Sequence, residues 1–127
     1  MSSAAQLRAD IAAALAASLT GYGIYPAPPD IVAGPSVVIG PRSPYRVRTD
    51  YCHEEVKLQL TILVPRAAGA AGMEVLDTVC DTVRDAVESV PEATWESVDS
   101  VGPVQEVGGI EYLAATLYVV GYVEGNP

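Results

Sequence analysis

A chain of 127 residues that is 50% hydrophobic and 18% charged is sized for one domain with one modest core and is too apolar to remain disordered. Seven Lys and Arg against sixteen Asp and Glu give a formal net charge of −9, which disfavours general nucleic-acid binding, because that needs cations to displace counterions from phosphates. No run of about 18 strong apolar residues offers a membrane span, and Cys52 and Cys80 are too few for a disulfide framework.

The start, "SAAQLRADIAAALAASLT" over residues 3–20, has Arg8 as its first charge, followed by Asp10. It lacks the basic leader of a secretory signal, so the mature chain is expected to begin near Met1 and both thiols to be reduced in a cytosol-like compartment. Leu7, Ile11, Leu15 and Leu19 recur every fourth position, one face of a helix. Ser3 and Gln6 fit a capping box, and Gly21 and Gly23 can stop the helix through a left-handed residue.

"YPAPPD", residues 25–30, has three prolines in four positions and reads as an extended connector. "SVVIGP", residues 36–41, reads as a short edge strand. The next stretch, "PRSPYRVRTDYCHEEV" over 41–56, reads as a basic loop. From Glu55 the sequence alternates, with Val56, Leu58, Leu60, Ile62 and Val64 on one face and Glu55, Lys57, Gln59 and Thr61 on the other, a strand with one buried face.

After "RAAGAAG", residues 73–90 place Met73, Leu76, Val79, Cys80, Val83, Val87 and Val90 on one helical face, with Pro91 as the stop. Cys80 reads as a buried structural thiol, since free cysteine behaves as a small hydrophobe. Residues 93–107 and 110–123 read as two strands of a hairpin joined at Gly108 and Gly109. The last strand is apolar on both faces, so it either sits centrally or meets another subunit. The elements predict a single α+β domain over residues 1–127, a mostly antiparallel sheet of about four strands with two helices packed on one face.

Cys52, His53, Glu54 and Glu55 are the one place where a nucleophile, a base and carboxylates meet. Neighbouring strand residues point to opposite faces, one histidine without a C-x-x-C does not make a zinc site, and neither a P-loop nor a G-x-S-x-G is present. No catalytic, cofactor-binding or metal-binding residue is therefore assigned, no cofactor is expected, and the chain is not read as an enzyme.

Charge is segregated. Residues 42–48 carry three arginines and no acid, a sum of +3, while the remaining four basic and sixteen acidic residues leave −12. Arg42, Tyr45, Arg46, Arg48 and Tyr51 form a candidate contact loop, and Glu74, Asp77, Asp81, Asp85 and Glu88, opposite the apolar stripe of the second helix, a candidate acidic surface. The loop of one copy meeting the acidic helix of the next would be a heterologous contact, which closes into a ring where the rotation permits. A solvated loop and a solvated helix face are the alternative.

In this order of parts the chain resembles the tail terminator proteins of long-tailed bacteriophages, also described as tail completion or head-to-tail joining proteins. The resemblance runs from "LRADIAAALAASL" through "YGIYPAPPD", "PSVVIGP", "RTDYCHEEVKLQLTILV" and "MEVLDTVCDTVRDAV" to "GGIEYLAATLYVVGYV", nearly the whole chain. It implies a structural virion protein made in the host cytoplasm and located at the tail–head junction. Such subunits form a homo-oligomeric ring, usually a hexamer, that caps the finished tail tube. Its partners would be copies of itself, the tail tube protein and the head-connector or neck protein, with DNA only passing through an acidic lumen that repels phosphate, and no membrane. A head-closure or neck connector, and a small α+β enzyme or ligand-binding domain, remain as alternatives.

Overall fold

Helix α1 (Ala4–Ser18) begins where Ser3 Oγ accepts a hydrogen bond from the Gln6 backbone N–H at 3.1 Å. The Gln6 side-chain amide nitrogen in turn donates to Asp10 at 2.7 Å. Leu7, Ile11 and Leu15 are fully buried and Leu19 nearly so. Burial of each such side chain contributes roughly 1.5–3 kcal/mol, against about 1 kcal/mol for a cap, so packing holds this helix in place. Gly21, at φ 84°, takes the left-handed turn beyond it, as its lack of a Cβ allows.

The computed structural model describes residues 3–29, 34–50, 52–65, 70–107 and 110–124. Five strands follow α1 in a mixed sheet: β1 (Gly23–Tyr25), β2 (Ser36–Arg48), β3 (His53–Pro65), β4 (Ala93–Val107) and β5 (Ile110–Glu124), with helix α2 (Ala70–Glu88) between β3 and β4. Their order is β1-β2-β3-β5-β4. β1 pairs with β2 in parallel through Gly23↔Ser36 and Tyr25↔Val38, and the other three pairings are antiparallel.

The α+β class agrees with the sequence reading, and the sheet of about four mostly antiparallel strands gains, among the described residues, a short fifth, because the three residues "GIY" just before the prolines add to the edge of β2. One expectation is corrected. The basic loop is strand: β2 runs on to Arg48, pairing Arg46↔Val56, Val47↔Glu55 and Arg48↔Glu54. A register shift between Pro41 and Arg46 absorbs the prolines, which lack the N–H a regular ladder needs and are tolerated at bulges and edges. Only a short turn remains, closed by Thr49 N–H donating to the His53 carbonyl at 3.1 Å.

Both helices share one core with one face of the sheet. Val37 and Ile39 of β2, Val56 to Val64 at alternate positions of β3, and Leu117, Val119 and Val123 of β5 join Leu7, Ile11, Leu76 and Val83 in it. The two-sided apolarity of β5 follows from its place between β3 and β4, with Leu63, Tyr112 and Ala114 buried together on the far face. At Gly121 α1 comes so close that a Cβ would lie 2.1 Å from Leu7 Cδ2. The Gly108–Gly109 turn read from the sequence lies outside the described residues.

Candidate functional site

The arginines gathered on β2 are held by their own chain. Arg42 donates to the Leu58 carbonyl at 3.2 Å and the Val119 carbonyl at 3.4 Å, forms an ion pair with Glu96 on β4, and lies over the Tyr118 ring at 5.3 Å from its centroid. Arg46 pairs with Glu54 at 2.5 Å, diagonally across the β2–β3 hairpin. Arg48 Nε donates to the Asp50 carbonyl at 3.3 Å, and the Tyr45 hydroxyl accepts from Arg8 on α1. Four of the five predicted contact residues therefore lie on one strand, β2, and Tyr51 lies outside the described residues. Sequence reading could not see these partners, which come from β3, β4, β5 and α1.

The acids of α2 divide into two groups. Arg84 stands between Asp81 at 3.5 Å and Asp85 at 3.7 Å, with its guanidinium 5.6 Å from the Trp95 ring centroid. Trp95 Nε1 donates to Glu88 at 2.6 Å, tying the end of α2 to β4. Glu74 and Asp77 form no ion pair among the described residues and face solvent at the start of the helix.

That same end of α2 exposes apolar surface that sequence reasoning missed. Met73, assigned to the buried face, is 50% exposed, and Val75 and Val98 are 43% and 41% exposed. A groove of about 490 Å³ runs here between α2 and β4, floored by Leu76, Cys80 and Ala115 and edged by Asp77 and Asp81. The signal was present: Val75 interrupts the polar face in "MEVLD", and Val98 stands among polar neighbours in "ESVDS". Burial, and then the carboxylates of Asp77 and Asp81, push the Cys80 thiol up to about 11, so it stays protonated and inert near neutrality.

On the opposite side of the sheet a second groove, about 220 Å³, is walled by Pro26, Ala27, Pro28, Ile39 and Pro41, with Arg8 and Tyr45 at its end.

The Cys52–His53 cluster gathers around Asp50. Its carboxylate accepts from the Cys52 backbone N–H at 2.8 Å and from His53 Nδ1 at 2.7 Å, and these contacts, the Cys52 N–H first, hold the Asp50 carboxyl below its ordinary range. Both residues of the Asp50–His53 pair are exposed. The hydrogen bonds close a turn, with Glu54 already engaged by Arg46. Among the described residues no three His, Cys, Asp or Glu side chains converge as a metal site, and no helix is long and apolar enough to cross a membrane. No family model matches this chain, and no curated protein matches it.

Proposed function

We propose that this protein is a structural, ring-forming subunit, a tail terminator that caps a completed phage tail tube and joins it to the head. The observation that carries the reading is the lateral asymmetry of the subunit. One flank presents β4, an edge strand of fifteen residues, beside the exposed Met73, Val75 and Val98. The other presents the arginine-bearing strand β2. A long edge next to exposed apolar surface is a template for association, and two unlike flanks assemble head to tail, as a ring requires.

The resemblance in order of parts supports the same reading. The net charge of −9 suits a conduit through which DNA passes without adhering. Copies of the chain, the tail tube protein and the neck protein are the partners this role demands.

Light scattering after size-exclusion chromatography at micromolar concentration, at low and high salt, tests it. A salt-sensitive ring near six times the 13.2 kDa chain is the expected species. A chain that remains monomeric both alone and with purified tail tubes rules the role out. Binding to isolated heads but not to tube ends would assign the subunit to head closure instead.

A further inference from the structure

The two apolar grooves lie on opposite flanks of the sheet, one between α2 and β4, the other beside β2 and α1. We infer that they are the two halves of one interface between copies. The Met73 and Val98 flank of one protomer packs against the proline-walled flank of the next, with Asp77 and Asp81 facing Arg46 and Arg48. This deepens the ring reading above and rests on it.

Charge selects the occupant. Strand β2 carries three arginines and no acid, whereas α2 carries five acids and one arginine and β4 three acids and no base. Two α2–β4 flanks brought together would therefore repel, which disfavours a two-fold contact between like edges, and an α2–β4 flank against a β2 flank attracts. The Arg46–Glu54 pair does not prevent this. It is half exposed on the arginine side, and such surface pairs are weak because water screens them, so Arg46 can share its charge with a neighbour's carboxylate.

Geometry points the same way. Between the flanks lie β3 and β5, with the helices filling the space above them, so one copy cannot close its own grooves. Each neighbour in the series β2, β3, β5, β4 is antiparallel to the last, and the short outermost strand β1 runs parallel to β2 over Ser36 to Val38, which leaves both antiparallel to β4. Copies standing side by side in one orientation thus set β1 and the rest of β2 of one antiparallel to β4 of the next, the more stable strand relationship. Pro41, Pro44 and the register shift interrupt the outer edge of β2, so side chains rather than a continuous ladder carry the contact. Met73, projecting at 50% exposure, is the knob, and the smaller groove between Pro28 and Pro41 is its socket.

The test uses the full chain and light scattering, with circular dichroism to verify that each variant is folded. Met73→Arg alters an exposed side chain and is expected to weaken association at least about tenfold. Asp77→Lys/Asp81→Lys and Arg46→Glu/Arg48→Glu are each expected to dissociate the assembly, and all four substitutions in one chain to restore it. Wild-type rings that survive Met73→Arg and both charge reversals overturn this interface and leave the ring reading standing. A symmetric dimer as the end state overturns it too. A wild-type chain that stays monomeric, even with tail tubes, overturns both.

Discussion

Arg42 on β2 and Glu96 on β4 form an ion pair over the sheet although β3 and β5 lie between their strands. Both flank register shifts, one between Pro41 and Arg46 and one between Trp95 and Ser97, and a bulge re-aims the side chains beside it. The arginine is 20% exposed and also holds two strand carbonyls and a tyrosine face. It fastens four strands together.

Arg42→Ala is therefore expected to lower unfolding stability by roughly 1–3 kcal/mol, the cost of losing charged hydrogen bonds at a partly buried site. Glu96→Gln, at a more exposed position, should cost less than about 1 kcal/mol. Arg42→Lys should recover only part of the loss, because an ammonium cannot fork between two carbonyls and a carboxylate. Urea unfolding of the three variants measures all of this.

Gly121→Ala places a methyl 2.1 Å from Leu7 Cδ2, and Leu7 is fully buried with little room to retreat. Overpacking of this kind costs typically 1–3 kcal/mol. Leu7→Ala alone leaves a cavity and costs about 2–5 kcal/mol. The double variant should be more stable than the sum of the two losses predicts, since each change relieves the other. Equal, additive losses would mean that α1 shifts as a body.

The two thiols should react in separate phases. Cys52 is exposed and Cys80 half-buried with its proton held up to about 11, and the thiolate is the reactive form. A chromogenic disulfide reagent at pH 8 is expected to consume one thiol quickly and the second slowly. The slow phase should accelerate as pH rises toward about 11, and it should vanish in Cys80→Ser.

Asp50 has a folded carboxyl held below the ordinary value of 3.8 by the Cys52 N–H and His53. A depressed acid stabilises the fold above its unfolded pKa, and that contribution disappears as pH falls through the lower folded value. Asp50→Asn should thus be less stable than wild type near neutrality, with the two converging below about pH 3.8. Urea midpoints measured across that range check the sign.

Local periodicity made α1, β3, α2 and β5 legible, because Leu7 to Leu19 and Val56 to Val64 each keep the spacing of a single buried face. The extension of β2 was not legible. Pro41, Pro44 and three arginines look like loop chemistry until Glu54, Glu96 and the carbonyls of β3 and β5 are placed beside them, and those partners lie up to 77 residues away. β1 escaped notice because three residues carry no period. The apolar groove escaped because Met73 fits the helical stripe by spacing, yet it lies where α2 overhangs the sheet's margin.

The seam between α2 and β4 carries its own optical gauge. Trp95 is the chain's single tryptophan, stacked by Arg84 and bonded to Glu88, three residues along β4 from Val98. Any process that pries the helix from the strand, or that seals the neighbouring groove, must change the polarity around one indole. Unlabelled protein will therefore report the state of this seam through the colour and intensity of its own emission.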